Sequence, residues 1–425
     1  MQNFEKLVQS PSVQNLLNSL YGKDIKTALQ RYSAVEQSFI EYFGAASSPL
    51  RFFSSPGRSE IGGNHTDHNL GKVLAASINL DCIGAVRENG TNRIRIRDVS
   101  YDEKFELDIS STDAIPGEKG SIALLRGIIQ YFKNSGYKTG GFDACFSTTV
   151  IAAAGVSSSA SFEMMLCQIL NSLFNKGSIS VENRALAGRF AENKYWNKAS
   201  GLLDQMACAA GGLVSIDFQN PSNPVLQRIP FDFSSHNHRL LIVNTGKGHA
   251  DLSEEYSSIP SEMKSIARFF GKETLRSISK KDVLDHIKEL RKTCSDRAVM
   301  RALHYFDEND RVDAQVKALM DNDFPLFLDL IRSSGNSSWK YLQNVYVPSC
   351  PQEQSISIAL ALTEDFIEKH TRGSCRIHGG GFAGVILVFL PEDLCSSYKT
   401  MMEHALEAGC VYDMSIRSSG SIEIC

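Results

Sequence analysis

Hydrophobic and polar positions change period several times along the chain, and each change marks an element. In Ala34-Val-Glu-Gln-Ser-Phe-Ile-Glu-Tyr-Phe-Gly44 the apolar side chains fall at helical spacing and a glycine closes the run, so the first ~45 residues read as helical. Ser54-Ser-Pro-Gly57 reads as a loop. Lys72 to Val86 is almost continuously apolar, the pattern of a strand buried on both faces. Thr91-Asn-Arg-Ile-Arg-Ile-Arg-Asp-Val99 and Lys104-Phe-Glu-Leu-Asp-Ile109 instead alternate with period two around a polar turn, which predicts a hairpin. Ile122, Leu125, Ile129 and Phe132 mark a helix face that stops near Gly136, and Phe142 to Val150 is a strand running into a small-residue loop. Residues 158–174 and 181–193 form amphipathic helices, the second capped by Ser180.

Asn220-Pro-Ser-Asn-Pro224 interrupts this alternation and is the expected domain boundary. Beyond it, Leu240-Leu-Ile-Val-Asn244 reads as a buried strand, residues 260–335 as mostly charged helix and residues 355–370 as a further helix. Cys375-Arg-Ile-His378 and Val385-Ile-Leu-Val-Phe389 are strands flanking a glycine cluster. No internal repeat or low-complexity segment is present. The expectation is an α+β chain in two halves, residues 1–220 and 221–425, with an active site in the cleft between them.

Composition narrows the class of partner. Forty-four Lys and Arg against 48 Asp and Glu leave a net charge of −4 over 425 residues, which offers no general polyanion-binding surface, so nucleic acid is not an expected partner. Hydrophobic residues at 42% and charged residues at 22% exclude a wholly disordered chain. The opening Met1-Gln-Asn-Phe-Glu-Lys-Leu-Val8 is neither a basic region followed by an apolar one nor an Arg-rich transit peptide, and no apolar run reaches the ~18 residues of a membrane span. A cytoplasmic protein without membrane partners is expected, and a monomer is favoured. The ten cysteines are scattered without a CxxC, so they read as small buried hydrophobes rather than metal ligands.

Three segments carry chemistry. In Ser55-Pro-Gly-Arg-Ser-Glu-Ile-Gly-Gly-Asn-His-Thr-Asp-His-Asn69, an arginine, an aspartate and two histidines crowd into eleven residues. His65 and His68 could suggest a metal, but a third ligand would have to be Asp67, adjacent to both in sequence. Sugar hydroxyls suit Asp67 and His65 better, because a carboxylate accepts two hydroxyl protons and an imidazole can donate one. A solvated polar loop is the alternative. Ala152-Ala-Ala-Gly-Val-Ser-Ser-Ser-Ala-Ser-Phe-Glu163 lies between a strand and a helix, where unpaired N–H groups and the helix dipole cradle phosphate. It is not the GxxxxGK[ST] loop, since the Gly-Lys pairs at 246 and 271 are followed by Gly and Glu. Arg376-Ile-His-Gly-Gly-Gly-Phe-Ala-Gly384 matches G-x-G-x-x-G formally, yet a strand rather than a helix follows, so it marks a tight turn or a close approach, not a dinucleotide site.

In this order the three segments resemble the signature motifs of the GHMP small-molecule kinases, and the first resembles the galactokinase signature in particular. Galactokinases carry Pro-Gly-Arg leading to Gly-Glu-His-Thr-Asp-Tyr-Asn, a Gly-Leu-Ser-Ser-Ser-Ala-Ser loop and a Gly-Gly-Gly-Phe-Gly-Gly turn. The corresponding stretches here are Pro56-Gly-Arg58, Gly63-Asn-His-Thr-Asp-His-Asn69, Gly155-Val-Ser-Ser-Ser-Ala-Ser161 and Gly379-Gly-Gly-Phe-Ala-Gly384. Ser200-Gly-Leu-Leu-Asp-Gln205 and Ala191-Glu192 resemble further family stretches, and His249-Ala-Asp-Leu-Ser-Glu-Glu-Tyr256 resembles the one supplying a sugar-contacting tyrosine.

The resemblance implies a two-domain fold, with an N-terminal domain of the ribosomal protein S5 domain 2-like type and a ferredoxin-like C-terminal domain. It also implies transfer of the ATP γ-phosphoryl group to the anomeric hydroxyl of a hexose. Asp204 would be the general base and Arg58 the cation beside it. Gly155, Val156, Ser157, Ser158, Ser159, Ala160 and Ser161 would wrap the triphosphate, with Ser159 and Glu192 on Mg2+. Asn64, His65, Asp67, Gly201 and Tyr256 would hold the sugar, and Gly379, Gly380 and Gly381 would let backbone approach substrate and nucleotide. Departures fall at the sugar end. Asn64 replaces a glutamate that contacts the C6 hydroxyl, and His68 replaces a tyrosine, so galacturonate and N-acetylgalactosamine stand beside galactose as acceptors. The competing class is a non-catalytic sugar and ATP sensor on the same fold, against which the retained Arg58, serine loop and Asp204 argue.

Overall fold

The computed structural model describes residues 4–45, 48–150, 155–198, 200–246 and 252–425. Its strands in chain order are β1 (Arg51–Gly62), β2 (Lys72–Glu88), β3 (Arg93–Asp98), β4 (Glu103–Asp108), β5 (Phe142–Thr148), β6 (Leu213–Asp217), β7 (Val225–Ile229), β8 (His238–Asn244), β9 (Ser374–His378), β10 (Val385–Pro391), β11 (Val411–Met414) and β12 (Ile422–Glu423). Eight belong to a larger sheet in the order β12-β1-β2-β5-β3-β4, with β6 and β7 attached beside β2. The length of β2 lets it serve two neighbours, Cys82–Glu88 pairing with β5 and Lys72–Ala76 with β6. All pairings are antiparallel except β3 with β5. The predicted β3–β4 hairpin forms with Arg93 opposite Asp108.

Alternation along β1 sends consecutive side chains to opposite cores. Phe53 packs under helices Gly120–Asn134 and Ser158–Phe174 with Ile129, Phe146 and Met164, while Phe52 packs under Pro11–Tyr21 and Ile25–Phe43 with Tyr32, Phe39 and Ile83. The N-terminal helices, to which the sequence assigned no role, thus cover the second face of the larger sheet.

The smaller sheet, β11-β8-β10-β9, is antiparallel. Leu241, Val243, Ile386 and Val388 face one way, into a core shared with helices Ser355–His370 and Glu392–Ala405. Leu240, Ile242, Leu387 and Phe389 face the other, onto Ile61, Leu74 and Ile78 of the larger sheet. The two sheets therefore share a core beneath the site.

Two expectations are corrected. Asn220 to Pro224 is not a boundary between halves: it turns the antiparallel β6–β7 hairpin, Asp217 opposite Val225, so the chain leaves the larger sheet only after Ile229. The chain also returns at its end, β12 pairing with β1. Ser54-Ser-Pro-Gly57 is not a loop but lies inside β1, where proline is tolerated because the β1–β2 register shifts between Pro56 and Arg58.

Candidate active site

β1 delivers Arg58 and Glu60 and runs into the turn holding Asn64, His65 and Asp67, while the β9–β10 connection brings the glycine turn against them. Three contacts fasten the two segments: the Glu60 N–H bonds to His378 Nε2 at 2.9 Å, Asn64 Nδ2 to the Gly379 carbonyl at 2.7 Å and His65 Nε2 to the Gly380 carbonyl at 2.9 Å. The phosphate loop joins from the other side, with the Val156 carbonyl accepting the Arg58 N–H at 3.2 Å and the Gly155 carbonyl bonded by the Arg58 guanidinium. All three sequence segments meet at one place.

Asp204 sits in the first turn of helix Leu203–Ala210, where the helix dipole favours a negative charge. Arg58 Nε donates to its Oδ1 at 2.8 Å and the Ser157 hydroxyl to its Oδ2 at 2.5 Å. Burial pushes the carboxyl up, but Arg58 and the Ser157 hydrogen bond outweigh it and hold Asp204 below the usual carboxylate range. Asp204 is therefore ionised at neutral pH and partly open to the cleft, with its cation already in place.

Ser157 has a left-handed backbone (φ 62°) and caps helix Ser158–Phe174, leaving the first-turn N–H groups of Ser158, Ser159 and Ala160 without intrahelical acceptors. Not every residue of the loop faces outward. Val156 and Ala160 are buried, and the Ser161 hydroxyl bonds back to the Ser55 carbonyl at 2.8 Å, so these three support the loop through backbone and packing. Residues 152–154 of the predicted cradle and His249 to Asp251 of the tyrosine segment lie outside the described residues.

Ser159 Oγ donates to Glu192 Oε1 at 3.1 Å, so two oxygens converge as a hard divalent cation prefers, with nucleotide phosphates able to complete the set. Beneath them Gln205 Nε2 bridges Glu192 Oε2 at 3.1 Å and Glu163 Oε2 at 3.0 Å. Burial and the neighbouring Glu192 push the Glu163 carboxyl well above the usual carboxylate range. Lys198 Nζ lies 2.5 Å from Glu192 Oε1.

At the sugar end, His65 adopts φ 60° and burial drives its imidazole down to about 3, so it is neutral. With Nε2–H given to the Gly380 carbonyl, Nδ1 is a buried acceptor without a partner among the described residues. Sequence reasoning made His65 a donor to the sugar; the tautomer makes it an acceptor for a hydroxyl proton. Tyr256 stands 5.1 Å from the His65 ring, and its hydroxyl is 3.0 Å from His68 Nε2. The two histidines thus point to separate partners, not to a shared metal. Gly201 abuts Asp67 so closely that a Cβ there would lie 1.7 Å from Oδ2, and a Cβ on Gly380 would lie 2.7 Å from the Tyr256 ring.

Asn64 is not on the substrate surface. Its Nδ2 is used by Gly379 and by Glu60 Oε1 at 2.9 Å, its Oδ1 by Asn344 at 3.0 Å and Ser338 at 3.3 Å, and it is fully buried. Its hydrogen-bonding capacity is spent within the protein. Glu60, which sequence reasoning passed over, places a carboxyl beside it, paired with Arg376 at 2.7 Å. A buried carboxyl therefore still stands beside position 64, contributed by Glu60 on β1.

A nucleotide loop with its dipole, a carboxylate locked to an arginine and a set of hydroxyl-binding groups define a small-molecule kinase. The galactokinase galactose-binding signature matches residues 37–88, and the GHMP kinase N-terminal domain matches residues 123–212. Galactokinases of Actinobacillus pleuropneumoniae serotype 5b and Streptomyces coelicolor are similar at 29% identity (84% of this chain, 88% of that one) and 28% identity (88% and 92%). The fold resembles that of Lactococcus lactis galactokinase complexed with galactose, with a TM-score of 0.79 and 23% identity over 92% of this chain and 99% of that one. The protein has the two-domain α+β fold of the GHMP kinases. Within that class, the chain is similar to the galactokinases.

Proposed function

We propose that the protein transfers the γ-phosphoryl group of ATP to the anomeric hydroxyl of galactose, giving galactose 1-phosphate and ADP, in the cytoplasm. The observation that carries this reading is Asp204, ionised and held by Arg58 and Ser157 at the mouth of a phosphate-cradling helix start. Asp67, Tyr256 and the free Nδ1 of His65 supply the hydroxyl-binding side. Among the described residues no helix is long and apolar enough to cross a membrane.

In this mechanism the anomeric hydroxyl gives its proton to Asp204. A carboxylate held below its usual range is a weak base, which suits a late proton transfer, after the O–P bond has begun to form in a loose transition state. Arg58 keeps Asp204 charged and offsets negative charge on the moving phosphoryl. Ser159 and Glu192 would hold Mg2+, which would supply neutralisation of phosphate charge.

A panel of galactose, galacturonate and N-acetylgalactosamine with Mg-ATP tests the acceptor. Galactose should be phosphorylated fastest, and clearly faster turnover of either of the others rules it out as the physiological acceptor. Asp204→Asn should retain sugar and ATP binding while losing about 10²–10⁴ in kcat. Binding without turnover in the unsubstituted protein would identify the sensor instead.

A further inference from the structure

We propose that Lys198, paired with Glu192 and Ser159, is a phosphate-contacting residue of this kinase that passes to the triphosphate oxygens when Mg-nucleotide binds. The inference rests on the kinase reading above and adds to it a residue that the sequence motifs step over, between Ala191-Glu192 and Ser200-Gly-Leu-Leu-Asp-Gln205.

Geometry places the ammonium on the phosphate side of the site. Nζ is 2.5 Å from Glu192 Oε1 and 3.4 Å from Ser159 Oγ, the same two oxygens that would take a divalent cation. Two cations cannot share one carboxylate oxygen without strong repulsion, so a metal entering with nucleotide must displace the ammonium. The Lys198 backbone stays where it is, because its N–H is bonded to the Glu192 carbonyl at 2.9 Å. The turn that follows is pinned at Ser200, whose N–H and carbonyl bond the Asn193 side-chain amide at 3.0 and 3.2 Å. The side chain is free to move on that fixed base. Glu192 is almost fully buried, but the Lys198 side chain is 47% exposed, with its head over the Trp196 ring at 5.3 Å. A half-exposed lysine on a flexible stem, already 3.4 Å from the Ser159 hydroxyl in the first turn of helix Ser158–Phe174, can reach an anion held by the open N–H groups of that turn.

Its present pairing is also replaceable. Lys198 lowers the carboxyls of both Glu163 and Asp204, so it neutralises the acidic floor of the site until something else does. A divalent cation on Glu192 would take over that role and release the ammonium for phosphate.

The test is nucleotide binding by calorimetry in EDTA and in Mg2+, with unsubstituted protein, Lys198→Ala and Lys198→Arg, each checked by thermal melting. In Mg2+, Lys198→Ala should bind ATP about 10- to 100-fold more weakly, the loss expected for a charged hydrogen bond, and Lys198→Arg should restore most of it, whereas in EDTA, where no divalent cation frees the ammonium from Glu192, the loss should be smaller. In Mg2+ the alanine variant should also lose affinity for ATP more than for AMP, since only the longer phosphate chain meets the ammonium. If Lys198→Ala melts lower but binds Mg-ATP as well as the unsubstituted protein, Lys198 is only a structural ion pair and the proposal is overturned. If the unsubstituted protein binds no ATP in either buffer, the kinase reading itself fails and takes the proposal with it.

Discussion

His65 is the residue whose chemistry the structure changes most. Buried, and next to His68, its imidazole protonates only near pH 3, against about 6.5 in an unfolded chain. Between those values the unfolded chain binds the proton and the folded one does not, so stability tied to neutral His65 is complete above pH 6.5 and drains as pH falls towards 3. His65→Asn should be less stable than the unsubstituted protein at pH 7, because the Gly380 carbonyl loses its partner, and that gap should narrow as urea midpoints are compared from pH 7 down to pH 4. A gap that stays constant would mean His65 is not held neutral. At this scale the sequence was most informative where function needs a fixed residue type at a fixed spacing. Arg58, Asp67 and Asp204 stand out in sequence for their type and spacing, and the structure brings Arg58 against Asp204 and Asp67 against Gly201. Glu60, Glu163 and Lys198 were not, since each matters only through a partner that folding supplies: Arg376, Glu192 and the pinned turn at Ser200.

Elements were legible where one hydrophobic period runs long enough. β2, the β3–β4 hairpin, helix Ser158–Phe174 and the two strands around the glycine turn stand where the pattern put them. Local composition misled where tertiary pairing overrode it. Ser54 and Ser55 look like loop residues, but both are buried, and Ser54 bonds to Asp81 at 2.5 Å inside β1. Turn-forming residues at 220–224 signal a break without saying whether it separates domains or merely two strands of one hairpin. Close approaches between elements are equally invisible in sequence, and Gly201 is the sharpest case. A methyl group there would overlap the Asp67 carboxylate, which the Asp67–Asn69 turn holds in place through the His68 N–H at 3.0 Å. Gly201→Ala should therefore fold, with a melting temperature within a few degrees of the original, yet raise the KM for sugar at least tenfold while the KM for ATP changes little. An unchanged sugar KM would remove Asp67 from the acceptor site.

At the scale of the molecule, the N-terminal helices and the C-terminal return converge on one buried carboxylate that belongs to no motif. Asp81 is fully buried on β2, where it pairs with Pro56 of β1 two residues before Arg58. Arg31 from the N-terminal helices bonds its Oδ1 at 2.7 Å, Tyr21 its Oδ2 at 2.6 Å, and Arg417 from the C-terminal return reaches Oδ2 at 3.2 Å. Burial alone would push this carboxyl up, but the two guanidinium groups hold it below its usual range, so it stays charged inside the protein. Such a network makes both termini part of the scaffold beneath Arg58, and it joins residues 31, 81 and 417 in a way no local pattern could announce. Breaking it from the centre leaves two arginines buried without their counter-ion, so Asp81→Ala should cost about 3–5 kcal/mol in urea unfolding. Replacing all three charges together, Arg31→Met, Asp81→Leu and Arg417→Met, should recover most of that loss, because a hydrophobic set of similar volume avoids the desolvation penalty. If the single variant is as stable as the original, the termini are held by the apolar packing of Tyr32, Phe39 and Phe52 instead, and the ion network is incidental to it.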